Sequence, residues 1–395
     1  MSIEMSKGKT ILFLITLLLS NIAIMGDNVM YPIINNIYGQ FPDQVGAVNY
    51  IVSGPLLIIF VVSLIASKLL NRISKKTMLI IGGSLFAIAT IFGVAVDSAM
   101  YMVAARTVCG IGQALVNVAA MALIAEVYVD EEKRASIMGI YNAVMAGIGM
   151  IFGLLSGILA VSGWQNAYRI YWSAVPMVIL FILFLPYIKP TGAEDVKSKE
   201  KTKKEPYGKN FWIMIVGLCI VTIVFNMISF YGSVYVAEHS LGNEAYAGVV
   251  SAVTACGSMI FSMLFGVIYK KFSGNTLVVC SVMLAIALLM LMFIPNLILT
   301  PVAMLLVGGA YGMAFAFSYA HGTALAPTRM DDAIGIATAA YAISGFVSTY
   351  ISTFLMNIFH TEGAITPTFI VPLIVIVVFA IVYPFVSKKG NTINR

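Results

Sequence analysis

Apolar residues gather along this chain in long runs separated by short polar breaks. A helix rising 1.5 Å per residue needs ~20 residues to cross a hydrocarbon layer of ~30 Å. Twelve windows of that size can be marked between the breaks, at 10–33, 45–70, 77–97, 99–126, 135–160, 167–188, 210–237, 246–269, 276–295, 299–325, 333–358 and 366–387. The pattern predicts an all-α membrane protein with twelve transmembrane helices. The first window follows Lys7 and Lys9 as a secretion signal would. No small-residue cleavage site comes after it, and the run continues through Tyr31-Pro32-Ile33-Ile34, so it is expected to remain as the first span.

The longest polar interruption, 189–209, mixes Lys and Glu with almost no apolar content. It predicts a cytoplasmic linker between an N-terminal six-helix bundle (1–188) and a C-terminal one (210–395). The bundles read as copies of one half. The basic loop Ser67-Lys68-Leu69-Leu70-Asn71-Arg72-Ile73-Ser74-Lys75-Lys76 returns as Gly266-Val267-Ile268-Tyr269-Lys270-Lys271-Phe272-Ser273-Gly274-Asn275. At an offset of 200, Gly112 aligns with Gly312, Glu131-Glu132 with Asp331-Asp332, and Tyr141 with Tyr341. Pseudo-symmetric halves related by an axis along the membrane normal place a binding site between them, near mid-membrane.

Composition agrees with a bilayer as solvent: 395 residues at 60% hydrophobic and 10% charged, with mean hydropathy +0.97, cannot build a water-compatible surface. Charge adds the orientation. With the N-terminus in the cytoplasm, 21 Lys and Arg fall on that side, Arg169 alone on the other, and Arg106 within a helix. The asymmetry predicts both termini in the cytoplasm. The net charge of +6 sits in short clusters that suit anionic lipid and form no face for nucleic acid. Cys109, Cys219, Cys256 and Cys280 lie in apolar runs without metal-ligand spacing, so they read as packing residues, and no metal or cofactor is expected. No Gly-x-x-x-x-Gly-Lys-Ser/Thr loop occurs, so ATP is not expected as a partner.

Two charged side chains fall well inside the windows, Asp27 in helix 1 and Arg106 in helix 4, at similar depth. A lone charge there costs ~2.5–3.5 kcal/mol on insertion scales. Both are therefore expected to face the interior, with Asp27 taking up a proton or a cationic group and Arg106 tuning it; a static ion pair is the plainer alternative. Gln113 and Asn117 lie within about 20° of Arg106 on its helix. They predict a polar stripe facing a cavity, or interhelical hydrogen bonds. Asn28, Tyr31, Asn226, Tyr231, Phe315, Tyr319 and Tyr341 complete a candidate lining that suits an amphipathic organic solute better than a polyanion. Taken singly, each of these aromatics is a packing residue first. His321 reads as a hydrogen-bonded histidine before a proton relay. Gly149, Gly153 and Gly157 in helix 5 permit close helix approach.

The basic loop resembles the helix 2–3 loop of the major facilitator superfamily, Gly-x-Leu-x-Asp-Arg-x-Gly-Arg-Lys, with Ser67, Asn71 and Ser74 replacing Gly, Asp and Gly. Arg106-x-x-x-Gly110-x-Gly112 is similar to the family's Arg motif in helix 4. Gly149-x-x-x-Gly153-x-x-x-Gly157 is similar to the helix 5 motif of the twelve-helix drug-proton antiporter branch, with Leu154 where that motif has Pro. The resemblance implies a non-enzymatic secondary transporter of the bacterial plasma membrane. It would be a monomer moving a small organic solute against protons by alternating access, most readily as an exporter. A proton symporter or facilitator importing a nutrient fits the same fold, and a membrane sensor is the non-transport alternative. The resemblance also implies a cytoplasmic latch at the loop. With Asn71 in place of the acid, any charge relay there is expected to use Arg72 with Glu126 or another partner; Glu126 pairs with Arg72 or Arg134, or else stands as a solvated helix-end charge, and Lys270 and Lys271 stand at the equivalent place in the second half.

Overall fold

The computed structural model describes residues 7–70, 72–128, 131–188, 206–326, 330–361 and 363–391. Among them the elements are α-helices and short 3-10 turns. The N-terminal part holds α1 (Lys7–Leu19), α2 (Asn21–Ile24), α3 (Ile34–Gln40), α4 (Val45–Leu69), α5 (Lys75–Ile91), α6 (Ala99–Val127), α7 (Glu131–Ala160) and α8 (Ala174–Phe184). The C-terminal part holds α9 (Lys209–Phe230), α10 (Gly232–Glu238), α11 (Glu244–Phe272), α12 (Thr276–Phe293), α13 (Leu299–Leu325), α14 (Met330–Phe359) and α15 (Ile370–Asn391). Residues 189–205 of the expected linker and Asn71 of the latch lie outside the described residues.

Nine helical stretches among the described residues are long and apolar enough to cross a bilayer, ten if the bent pair Gly8–Ile24 and Gly26–Gln40 forms one span. That count leaves out α5, whose 17 residues extend about 26 Å. It also takes the 50-residue run Glu244–Phe293 once. As one helix that run would extend about 75 Å; it is instead two helices broken at Ser273, which holds φ at 45°. Tyr246, early in α11, bonds the Leu297 carbonyl just before α13, and Tyr269, late in α11, bonds His321, late in α13. Helices α11 and α13 are therefore parallel, and α12 between them runs back.

The buried apolar side chains form two cores, one drawn from Phe13 to Leu185. The other runs from Phe211 to Tyr383, with Ile34, Val52 and Leu56 reaching in from the N-terminal part. Ile88, Leu183, Val267, Phe354 and Phe385 are each more than half exposed, a surface suited to acyl chains. At the basic loop Ser74 caps α5, its Oγ accepting the Thr77 N–H at 3.1 Å.

The two parts are tied together toward the helix ends remote from the basic loops. Asn36 donates to Glu244 at 2.9 Å, the Tyr38 and Tyr231 hydroxyls lie 3.1 Å apart, Asn49 donates to Thr353 at 2.8 Å, and Ser53 and Thr349 share a 2.8 Å bond. No such bond joins them at the basic end among the described residues. Tyr231, expected in a cavity, is part of this seal: its hydroxyl also reaches Asn49 and the Thr349 carbonyl, and it is buried. A phenol among apolar walls needs those partners, so it turns to the seam between the parts.

Two of the three helix 5 glycines, Gly153 and Gly157 on α7, face α11 across this seam. A Cβ on Gly157 would lie 2.6 Å from the Gly248 Cα, and one on Gly153 2.6 Å from Ser251 Oγ. Gly149 instead faces Asn28 of its own half, so it makes room for an amide and not for a helix of the other half. Overpacking costs ~1–3 kcal/mol, and set against one side of a conformational equilibrium this moves populations about five- to 150-fold. Gly157→Val is therefore expected to shift the population toward an open far end by that order, with melting temperature little changed. Cysteine labelling at the far end checks it.

Candidate functional site

Helix 1 does not continue through its window as expected. It stops at Ile24, bends by 49°, and passes through 3-10 turns at Gly26–Val29 and Tyr31–Ile33 before α3. Gly26 admits the Phe86 ring, which a Cβ would meet at 2.6 Å, and Pro32 withholds an amide. In hydrocarbon each carbonyl released by such a break must find a partner inside the protein. Three neighbouring elements supply them. Gln113 Nε2 donates to Ala23 at 3.0 Å, Tyr171 Oη to Gly26 at 2.9 Å, and Ser156 Oγ to Val29 at 2.6 Å. Gln113 thus follows the hydrogen-bonding alternative; the break, legible only in the structure, decided it. Tyr171→Phe removes one donor and leaves the Gly26 carbonyl with only its bond inside the 3-10 turn, which is expected to lower stability by about 0.5–1.5 kcal/mol, read as a fall in melting temperature in detergent.

Asp27 lies on the first of these turns, 9% exposed, and Arg106 on α6 is 3% exposed. The structure brings them together: Arg106 Nη2 donates to Asp27 Oδ1 at 2.5 Å. The guanidinium also donates through Nε to the Ile51 carbonyl of α4 at 2.7 Å and lies 3.6 Å from Cys109 Sγ through Nη1. One cation therefore joins three helices, and burial makes the pairing obligatory for both charges.

Beside the pair, Tyr31 packs on Phe230 of the other half with ring centroids 5.2 Å apart. Beyond it runs an aromatic face. Tyr341 is 5.6 Å from Tyr311 and 5.9 Å from Phe315, Phe315 is 4.7 Å from Tyr319, and Phe225 stacks on Tyr311 at 4.2 Å. Tyr319 and Thr338 hydroxyls lie 2.9 Å apart. Phe225 and Tyr311 were not among the expected lining residues. Tyr311, Phe315 and Tyr319 fall at i, i+4 and i+8 on α13, a spacing that marks one face. Asn117 is half-buried and makes no hydrogen bond among the described residues. Asn28 is half-buried beside Gly149. Asn226 is buried and donates one amide N–H to the Thr222 carbonyl of its own helix at 2.8 Å.

At the basic end the expected pairing is corrected. Glu126 meets Lys75 at 2.7 Å, not Arg72, which lies exposed, and the Arg134 side chain lies outside the described ones. The Ser74 cap turns the chain so that the first residue of α5 points back at the end of α6, and Arg72 lies before that turn. Lys270 and Lys271 are exposed at the end of α11, with Lys271 Nζ 5.6 Å over the Phe272 ring. His321 bonds Tyr269 at 3.0 Å and stacks on Phe317, an ordinary hydrogen-bonded histidine.

Apolar helices around two cores, sealed at one end and holding a buried ion pair on a broken helix, define a polytopic membrane carrier. The chain belongs to the Major Facilitator Superfamily, whose family model matches residues 13–349. It is 24% identical over 365 residues to an uncharacterized MFS-type transporter, YceJ, of Bacillus subtilis, covering 91% of this chain and 92% of that one. It is 22% identical over 273 residues to the multidrug resistance protein MdtL of Shewanella oneidensis, covering 67% and 68%. A 28% identical match to the methylenomycin A resistance protein of Bacillus subtilis spans 128 residues, 32% of this chain and 28% of that protein. Among solved structures, a bacterial homolog of the human lysosomal transporter Spinster, inward-facing and occupied, superposes with TM-score 0.78 at 14% identity over 97% of this chain and 98% of that one. A D-xylose-proton symporter superposes with TM-score 0.69 at 15% identity over 93% and 97%. Family members are carriers and not enzymes.

Proposed function

We propose that this carrier is a proton-coupled exporter of amphipathic small organic solutes in a bacterial plasma membrane, working as a monomer by alternating access of two six-helix halves. Counting α5 as a span and the 244–293 run as two supports twelve spans, and the Lys and Arg asymmetry supports cytoplasmic termini. On that orientation the hydrogen-bonded far end faces outward.

The observation that carries the reading is the Asp27–Arg106 pair on the broken first helix, one turn from Tyr31 and beside the tyrosines of the other half. A carboxyl that can exchange its proton at the seam couples ionisation to which half-to-half contacts form. The aromatic face favours ring-bearing, weakly polar solutes, and similarity to the multidrug resistance protein MdtL and the methylenomycin A resistance protein favours export over import.

The experiment is solute flux in proteoliposomes under an imposed pH gradient, wild type against Asp27→Asn. Proton-driven solute movement opposite to the proton flow supports the reading. Movement with the protons makes the protein an importing symporter, and binding without flux makes it a sensor.

A further inference from the structure

Pro55 lies inside α4, and a proline has no N–H for the carbonyl four residues before it. That carbonyl is Ile51, the acceptor of the Arg106 Nε–H at 2.7 Å. The contact belongs to a register: Arg106 stands to Gly110 on α6 as Ile51 stands to Pro55 on α4, one turn apart in each helix. Gly110 lets the two backbones meet, since a Cβ there would lie 2.9 Å from Pro55 Cα and 2.8 Å from Ile58 Cβ. Tyr50 and Thr107, with hydroxyls 2.9 Å apart, hold the same register from the next positions.

We infer that Pro55 and Gly110 are positioning residues for the coupling pair: together they anchor the Arg106 guanidinium by its Nε edge and so aim Nη2 at Asp27. This rests on the reading of Asp27 as the coupling carboxylate. A guanidinium is a rigid planar fork, so fixing one edge fixes where the other points. The other titratable groups facing the pair are Cys109 on α6, Tyr168 and Tyr171 from the 3-10 segment Trp164–Ser173, Tyr31 past the break, and Tyr341 from the other half. None is a second cation or carboxylate. The orientation of Arg106 therefore decides how closely a cation meets the Asp27 carboxylate.

Pro55→Ala supplies the missing N–H and draws the Ile51 carbonyl back into the α4 ladder. It is expected to fold, because Ala is favoured over Pro in a helix interior by ~3 kcal/mol. Two midpoints are then read: the pH midpoint of solute flux, and that of the Asp27 carboxyl band in difference infrared spectra, assigned by its loss in Asp27→Asn. Both are expected to rise by about half a pH unit or more, since a carboxylate less firmly met by a cation holds its proton more tightly. In an Arg106→Lys background, which has no Nε to anchor, Pro55→Ala is expected to move neither. An unchanged infrared midpoint in Pro55→Ala overturns the inference, as does an equal shift in the Arg106→Lys background. The infrared titration needs no transport, so flux indifferent to Asp27→Asn defeats the coupling reading separately.

Discussion

Asp27→Asn is expected to reduce pH-gradient-driven solute flux to the level of empty liposomes, while solute binding in detergent survives. Asn has almost the volume of Asp and keeps a carbonyl oxygen for Arg106 Nη2, so the contact across the broken helix can persist. What it loses is the proton: an amide neither takes up nor releases one near neutral pH. Arg106 keeps its bond to the Ile51 carbonyl, but its buried charge loses its counter-ion, so the variant is expected to melt below wild type. Exchange of labelled for unlabelled solute without a gradient is expected to continue, because it needs the halves to rock with cargo and not with a proton. The comparison of driven flux with exchange, on protein that still melts cooperatively above the assay temperature, is the decisive measurement. Equal loss of both would mark Asp27 as a structural or binding residue.

The second large effect concerns stability. Arg106→Ala removes one member of a buried pair and strands Asp27, the Ile51 carbonyl and the helix 1 break at once. Breaking a buried pair by removing one partner costs about 3–5 kcal/mol, whereas replacing both charges is often close to neutral. The double variant Asp27→Asn, Arg106→Gln is therefore expected to be more stable than Arg106→Ala, recovering most of that loss. Melting temperatures of the detergent-solubilised Asp27→Asn, Arg106→Gln and double variants give the coupling between the two positions. Additive losses would show that the charges do not compensate one another.

The basic loops and the long apolar runs were legible in the sequence because solvent imposes them. A bilayer demands ~20 apolar residues per crossing, and Lys and Arg collect where they need not cross it. The depth match of Asp27 and Arg106 was legible for the same reason: a buried charge is costly wherever it lies, and two at one depth can offset each other. The break of helix 1 was not. Gly26 and Pro32 mark it only weakly, and its stability comes from Gln113, Tyr171 and Ser156, which the chain brings in from 90, 145 and 127 residues away. Gln113 and Tyr231 were legible as buried polar groups, but whether each faces solute or backbone depends on which carbonyl or hydroxyl it meets. The same holds for Glu126, whose partner became Lys75 because of the Ser74 turn.

By itself, then, the sequence determined that this is a helical membrane protein with basic loops on one side and one acid and one base in its interior. Each of those follows from local composition and the cost of burying charge. The tertiary structure alone decided that the first helix is broken where Asp27 sits, that the halves are sealed at the end remote from the basic loops, and that Arg106 spans three helices. These are contacts between residues far apart in the chain, set by backbone groups that a proline or a helix break leaves without partners, and no periodicity along the chain encodes which distant side chain answers them.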